Sequence, residues 1–252
     1  AAHAAGARRG RRALRSRTGP AARRPMSRAL FLTTHLSGSG HLTRTLALAR
    51  AVEAAGGAAR VLSGGRPLAH LPSAAALTQL PPVAVSGLDF TRLLDPDGRP
   101  ADAARMAARA AAIADAIDAF APTVLVTELF PFGRRLLAAE FEAAAARARA
   151  RGARVLCSVR DVPEPPRKPG RAAEAAGRLR RLYDGVLVHG DPAVLPFADV
   201  WPEAGRIADL LTHTGYVADP PPPPAGDPEE ALVAVGGGAL GRDVLSVAVD
   251  AA

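Results

Sequence analysis

The chain has 252 residues, enough to bury a full core in one large domain or two smaller ones, and a formal net charge of +8. Residues 1–25 hold eight arginines and no acidic residue, so the other residues carry as many acidic as basic side chains. This neutral body argues against nucleic-acid binding, and no apolar run is long enough to predict a transmembrane helix. The single cysteine, Cys157, cannot form an internal disulfide, which is typical of a reducing cytoplasm.

The first pattern of the body is an apolar run, residues 28–34, whose lack of helical period predicts a buried strand. A glycine-rich turn follows, made of Ser37, Gly38, Ser39 and Gly40. From His41 onward apolar residues recur at three- and four-residue steps, which predicts a helix packed on a sheet. Because glycine lets a backbone approach closely, a ligand oxygen can reach the amide groups at this helix start. The turn is therefore a predicted ligand-binding loop.

Strand-like and helix-like segments alternate along the rest of the body. Strands are predicted at 59–62, 83–85, 123–127, 154–159 and 185–188, and helices at 101–120, 134–151 and 171–183. Residues 89–100 mix charges with glycine and proline and are predicted to be a loop. The alternation predicts an α/β fold with a Rossmann-like, doubly wound parallel sheet.

Polar residues follow the predicted strands directly. They are Glu128, the pair Arg160 and Asp161, and the pair His189 and Asp191. In doubly wound sheets, ligands bind outside the carboxyl ends of the strands. Together with the first turn, four loops are therefore expected to converge on one functional cleft.

The first turn does not fit the common nucleotide-binding fingerprints. A dinucleotide site asks for three glycines and for an acidic residue at the end of the second strand. Here Gly38 and Gly40 supply two glycines, and residues 61–64 contain no acid. No Gly-Lys-Ser or Gly-Lys-Thr sequence marks a P-loop. We therefore expect neither NAD nor another bound cofactor, and no metal site.

Composition divides the chain into four parts. Residues 1–25 are interpreted as a basic extension, disordered or upstream of the true start, because no apolar stretch follows the charges as in a secretory signal. Residues 26–218 form the predicted Rossmann-like domain, and residues 219–228 a proline-rich linker. Residues 229–252 repeat the plan of strand, glycine turn and helix. Since one such unit cannot bury its own apolar face, it is interpreted as the truncated start of a second domain.

The motifs occur in an order that resembles the amino-terminal part of GT-B glycosyltransferases of the MurG and glycosyltransferase 28 group, and of related predicted bacterial glycosyltransferases. The segments that carry the resemblance are SGSGHLTR (37–44), ELFPFG (128–133), RD (160–161), VHGDP (188–192), TGYV (214–217) and VGGG (235–238). The resemblance implies two Rossmann-like domains facing each other across a cleft. The first domain would bind the acceptor, and the second a nucleotide-diphosphate sugar.

The resemblance implies an inverting transfer of a sugar from a nucleotide-diphosphate sugar to an acceptor hydroxyl, in envelope, polysaccharide or glycolipid biosynthesis. Residue by residue, Gly38, Gly40 and His41 match the acceptor-side loop. Gly236, Gly237 and Gly238 match the donor diphosphate site. Because most of the second domain is missing, the chain alone is expected to be inactive. The implied location is the cytoplasm, with a peripheral membrane contact by family analogy and no obligate protein partner.

Glycosyl transfer needs a base for the acceptor hydroxyl and polar groups for the departing diphosphate. His41 and Glu128 are the candidate bases, since the environment of either can move its pKa into a useful range. His41 is favoured because it follows the glycine turn; local bonding at a helix start, or helix capping by Glu128, are the structural alternatives. His35 is a further candidate to line the cleft. A sugar-nucleotide epimerase and a non-catalytic sugar- or phosphate-binding domain remain open as other functions.

Overall fold

The computed structural model describes residues 26–69, 71, 77–87, 89–166, 168–218, 232–235 and 241–251. The strands in these residues are β1 (Arg28–Thr33), β2 (Ala58–Ser63), β3 (Leu77–Gln79), β4 (Ala84–Ser86), β5 (Asp89–Leu94), β6 (Val124–Glu128), β7 (Arg154–Arg160), β8 (Gly185–His189) and β9 (Leu211–His213). The helices are α1 (Gly40–Ala54), α2 (Ala103–Phe120), α3 (Ala138–Ala150), α4 (Arg171–Leu182), α5 (Phe197–Val200) and α6 (Arg242–Asp250). Short 3-10 helices span Arg135–Leu137 and Ala204–Leu210.

The main sheet has seven strands in the order β3-β2-β1-β6-β7-β8-β9. Every neighbouring pair in it is parallel. The chain moves outward from β1 to β3 and returns to β6 on the other side of β1, so the strand order reverses between β1 and β6. The predicted Rossmann-like parallel sheet is therefore confirmed. In such sheets the crevice for ligands lies at this reversal, beside the carboxyl ends of the two strands.

Both faces of the sheet are covered, which explains the near-continuous apolar runs of its central strands. In β1, Ala29 and Phe31 pack with Leu42 and Leu46 of α1 on one face. The alternate residues Leu30 and Leu32 belong to the larger core on the other face. That core also takes side chains from α2, α3 and α4, including Ile117, Phe141 and Leu179. The period of two along each strand thus assigns one face to α1 and the other to the later helices.

One predicted loop contains a strand. Residues 89–100 begin with β5, which pairs antiparallel with β4 in a separate two-stranded sheet. The residues of β5 are mostly exposed, so the segment lacks the apolar run that marks the buried strands. The turn after it is closed by Asp95, whose carboxylate accepts the backbone N–H groups of Asp97 and Arg99. The prediction of a loop was therefore wrong for residues 89–94, which form β5, and right for the turn at residues 95–99.

The predicted second-domain unit is only partly described. Residues 1–25, the linker 219–228 and the glycines 236–238 lie outside the described residues. Residues 232–235 do not form the predicted strand, whereas helix α6 does form. Among the helices of the described ranges, none has the length and apolarity needed to cross a membrane.

Candidate functional site

Glu128 ends β6 beside the reversal of the sheet and is the centre of a hydrogen-bonded cluster. Its carboxylate is buried, with a relative side-chain exposure of 3%. Oε1 accepts the Nδ1–H of His41 at 2.9 Å and a terminal N–H of Arg44, both on α1. Oε2 accepts the hydroxyl of Ser158, which faces Glu128 in register on β7. Two elements from opposite sides of the crevice therefore meet at one carboxylate.

These donors decide the charge of the Glu128 carboxylate. Burial alone would raise the pKa of Glu128, because it disfavours the charged form. The hydrogen bonds from His41 and Ser158 and the positive charge of Arg44 outweigh burial, so the pKa of Glu128 is lowered overall. The carboxylate is thus ionised at neutral pH and acts as an acceptor only.

The cluster continues across the carboxyl edge of the sheet. Nε2 of His189, at the end of β8, lies 2.9 Å from the Ser158 hydroxyl, and its Nδ1 lies 2.8 Å from the hydroxyl of Thr214, just after β9. Because Ser158 gives its only hydroxyl proton to Glu128, His189 Nε2 donates to Ser158 and Nδ1 accepts from Thr214. Burial, assisted by the charge of Arg44, lowers the pKa of His189 to about 4. His189 is therefore neutral, with its tautomer set by the cluster.

His41 is the member of the cluster that is open to solvent. Its side chain is 23% exposed, and Nε2 is neither buried nor bonded to any described residue. Burial lowers the pKa of His41 below 6.5, the hydrogen bond to Glu128 acts the other way, and the charge of Arg134 adds to the lowering. At neutral pH the imidazole is therefore uncharged, with Nδ1–H fixed on Glu128 and a lone pair on Nε2 at the crevice. This arrangement suits a general base.

The local sequence explains how α1 presents these groups. Gly38 has a φ of 67°, a left-handed conformation that glycine adopts without strain, and the chain enters α1 two residues later. Ser39 does not cap the helix with its side chain. His41 and Arg44 are three residues apart on the helix and so share one face, which is turned toward Glu128.

The other predicted site residues lie at the same edge but are not bonded to this cluster. Arg160 is 57% exposed, and its nearest carboxylate is that of Asp161, at 4.0 Å. Asp161 and Asp191 accept backbone N–H groups of the residues that follow them, and Ser37 is exposed. His35 is buried and donates Nε2–H to the carbonyl of Arg66 at 2.8 Å. The bonds of Asp161 and Asp191 are typical of carboxylates that close a turn.

The cluster includes Arg44, Ser158 and Thr214, which were not among the predicted site residues, although Arg44 and Thr214 belong to the segments 37–44 and 214–217 that carry the resemblance. Ser158 lies in the predicted strand 154–159, two residues before Arg160. Because side chains alternate along a strand, this spacing indicates that Ser158 points to the same face as Arg160. Arg44 is marked by its three-residue spacing from His41. Thr214 directly follows β9 and begins the segment 214–217, but β9 has only three residues and was not among the predicted strands. No group of three possible metal-binding side chains is found in the described ranges.

The chain matches no protein-family model and no curated protein sequence. Solved structures that align with the chain include MurG from Acinetobacter baumannii, at 12% identity and a TM-score of 0.40, over 77% of this chain and 47% of that protein. The glycosyltransferase SsfS6 from Streptomyces sp. SF2575 aligns at 14% identity and a TM-score of 0.41, over 68% of this chain and 52% of that one. UDP-N-acetylglucosamine 2-epimerase from Rickettsia bellii aligns at 10% identity and a TM-score of 0.42, over 76% of this chain and 45% of that enzyme. The chain spans about half the length of these three proteins.

Proposed function

We propose that the chain is the acceptor-side domain of an enzyme that transfers a sugar from a nucleotide-diphosphate sugar to an acceptor hydroxyl. The observation that supports this best is the pair formed by His41 and Glu128. A neutral imidazole is oriented through Nδ1 by an ionised carboxylate, while Nε2 is open at the crevice. Such a pair can deprotonate a weakly acidic hydroxyl.

In the proposed reaction, Nε2 of His41 takes the proton of the acceptor hydroxyl as its oxygen bonds to the anomeric carbon of the donor. The bond from that carbon to the diphosphate oxygen breaks, and its electron pair leaves with the diphosphate. His41 then carries a positive charge, which the Glu128 carboxylate 2.9 Å away stabilises. The donor side of the proposal rests on the resemblance of Gly236–Gly238 to a diphosphate-binding turn.

The proposal includes inversion at the anomeric carbon. A retaining reaction through a covalent intermediate needs a carboxylate free to attack the sugar. Glu128 is the buried carboxylate of this cluster, and His41, Arg44 and Ser158 all donate to it. With its oxygens engaged in this way, Glu128 suits orientation of a base better than nucleophilic attack.

The test uses the complete gene product, a panel of nucleotide-diphosphate sugars and candidate acceptors, with product analysis by mass spectrometry and NMR. We expect His41→Ala to lower kcat by about 10²- to 10⁴-fold, the usual contribution of a general base, while donor binding persists. Thr43→Ala is the matched control, because Thr43 lies on the exposed side of the same helical turn. It should leave kcat unchanged.

Two results would contradict the proposed sugar transfer. If the donor sugar changes configuration without an acceptor, the enzyme is an epimerase. If the complete gene product binds the sugar nucleotide but neither transfers nor alters the sugar, it is a binding protein. Unchanged turnover in His41→Ala would remove His41 as the base, whichever reaction is found.

A further inference from the structure

Arg134 has a guanidinium group that is anchored at one nitrogen and unpaired at the other two. Its Nε–H donates to the backbone carbonyl of Thr34 at 2.6 Å. In the described part of the chain, neither terminal nitrogen has a hydrogen-bond partner, and no carboxylate lies within ion-pair distance of them. The four N–H groups on these nitrogens form a fork that matches the oxygens of a carboxylate or phosphate.

The position of Arg134 is set by a rigid loop after β6. Phe130 stacks on Phe141 at a ring-centroid distance of 5.0 Å. Phe132 makes edge contacts with two further rings of the core. Arg134 itself has a φ of 61°, a left-handed conformation that is uncommon outside glycine. The anchored loop, the strained backbone and the bond to Thr34 together hold the side chain in one place.

That place is at the carboxyl end of β1, where Arg134 bonds to Thr34, and the charge of Arg134 reaches the proposed base from there. The charge of Arg134 lowers the pKa of both His35 and His41, and the charge of Glu128 acts on Arg134 in turn. Burial lowers the pKa of Arg134 to about 10, so the group keeps its charge at neutral pH while much of its hydration is lost. A cation in this situation is stabilised by any anion that can reach it.

The ionised groups that act on His41 do not balance in charge. Arg44 and Arg134 carry two positive charges, and Glu128 carries one negative charge that is already bonded to Arg44. His41 and His189 are neutral, as argued above. These three groups therefore carry a surplus of one positive charge, and Arg134 is the one without a carboxylate partner among the described residues.

We propose that Arg134 binds an anionic group of the acceptor, a phosphate or a carboxylate, next to the hydroxyl that His41 deprotonates. The assignment to the acceptor rests on the proposed function and on the position of Arg134 in the acceptor-side domain. It narrows the acceptor to a molecule that carries a negative charge near its nucleophilic hydroxyl. The other source of a phosphate is the diphosphate of the donor, which the experiment distinguishes.

The binding test needs no catalytic activity, so its failure differs from a failure of the proposed function. The 252-residue protein is titrated with inorganic phosphate and with acetate at constant ionic strength, and the ring protons of His41 are followed by NMR. We expect phosphate or acetate to bind and to raise the pKa of His41, because an anion beside it favours the imidazolium. Arg134→Gln should weaken this binding by about tenfold or more, the usual effect of losing a charged hydrogen bond.

The matched control is Arg135→Gln, which removes the same charge from the exposed neighbouring residue. It should bind as the wild type does. Arg134→Lys keeps the charge without the fork and should retain part of the binding. The proposal is overturned if Arg134→Gln binds like the wild type, or if Arg135→Gln loses as much. It is equally overturned if Arg134→Lys and Arg134→Gln both lose all binding and are both destabilised, since Arg134 would then be structural.

Uridine diphosphate and inorganic pyrophosphate distinguish the two sources of phosphate. A site for an acceptor anion recognises charge and not a nucleotide, so uridine diphosphate should bind no more tightly than pyrophosphate. Tighter binding of the nucleotide that is lost in Arg134→Gln would assign the site to the donor and overturn the acceptor assignment.

Discussion

Two buried carboxylates, Glu128 and Glu140, are each bonded to an arginine, and they differ in what they leave unpaired. Arg109 of α2 makes a two-bond contact with Glu140 of α3, at 2.7 Å for each bond. Its remaining N–H groups donate to the carbonyls of Gly64 and Pro81 and to the hydroxyl of Thr34. Each nitrogen of this guanidinium therefore has a partner, and the side chain is fully buried.

The Glu128 cluster is incomplete by comparison. Nε of Arg44 is buried without a partner, Nε2 of His41 is open, and the terminal nitrogens of Arg134 are unpaired in the described part of the chain. Of these atoms only Nε of Arg44 is buried, so it is the one whose lack of a partner is unusual in a native protein. The two regions meet at Thr34, whose hydroxyl accepts from Arg109 and whose carbonyl accepts from Arg134. The pair of Arg109 and Glu140, called the closed pair below, thus supports the backbone beside the Glu128 cluster, called the open cluster.

The largest loss of stability is expected when the ion pair between Arg109 and Glu140 is broken. Glu140→Gln leaves the buried Arg109 charge uncompensated, which should lower the free energy of unfolding by about 3–5 kcal/mol. Urea denaturation at pH 7 measures this loss. The pKa of His41, followed by NMR, should not change, because Glu140 is outside the Glu128 cluster.

Two further variants sharpen this prediction. Glu142→Gln, on the same helix, breaks partly exposed ion pairs with Arg178 and Arg181 and should cost less than about 1 kcal/mol. The double variant Arg109→Met/Glu140→Leu should lose less stability than the sum of its single variants, because it leaves no unpaired charge. A loss below about 1 kcal/mol in Glu140→Gln would show that the two regions do not differ as described.

The next effect is a pH dependence that belongs to the open cluster. The pKa of His189 is about 4 in the folded protein, against 6.5 for an ordinary histidine side chain. Because this pKa is lowered on folding, its contribution to stability is present above about pH 6.5 and is lost as the pH falls toward 4. One pKa unit corresponds to about 1.4 kcal/mol, so the expected loss is about 3 kcal/mol.

His189→Gln removes this titration, and Gln offers both an N–H donor and an oxygen acceptor in place of the two ring nitrogens. Urea denaturation of both proteins between pH 7 and pH 4 measures the stability of each. The difference between the two pH profiles is the contribution of His189, because the carboxylates and the other histidines are present in both proteins. The wild type should lose more stability than the variant over this range. Parallel curves for the two proteins would mean that His189 is not held neutral by the cluster.

Much of the fold follows from local patterns in the sequence. The apolar runs before Ser37, Glu128 and His189 predict parallel strands, and the rule for doubly wound sheets places the residues after them at one edge. His41, Glu128 and His189 do lie in one hydrogen-bonded chain at that edge. Their roles in a reaction remain predictions, because position at the edge does not show what a side chain does.

The closed pair and the unpaired cation could not be predicted in this way. Arg109 lies in an alanine-rich helix with one other arginine, Arg105, and its burial depends on Glu140, which is 31 residues away. The sequence predicts a helix that begins at Arg134, and arginine is common and usually exposed at such a position. Its inward direction depends on the left-handed backbone at that residue and on the carbonyl of Thr34, 100 residues earlier in the chain. Long-range polar contacts of this kind leave no periodic signal.

The smallest loss of stability is expected at Gly64, where the backbone contacts Arg109. A Cβ at Gly64 would overlap the hydroxyl of Thr34 and lie 2.5 Å from a terminal nitrogen of Arg109. Gly64→Ala should therefore cost about 1–3 kcal/mol through overpacking, measured by urea denaturation. Gly177→Ala is the matched control, because Gly177 lies in α4 with no atom within 4 Å of a new Cβ, and it should stabilise the protein by about 0.5–1 kcal/mol. If both variants change stability equally, the space around Arg109 is not as tightly filled as the geometry indicates.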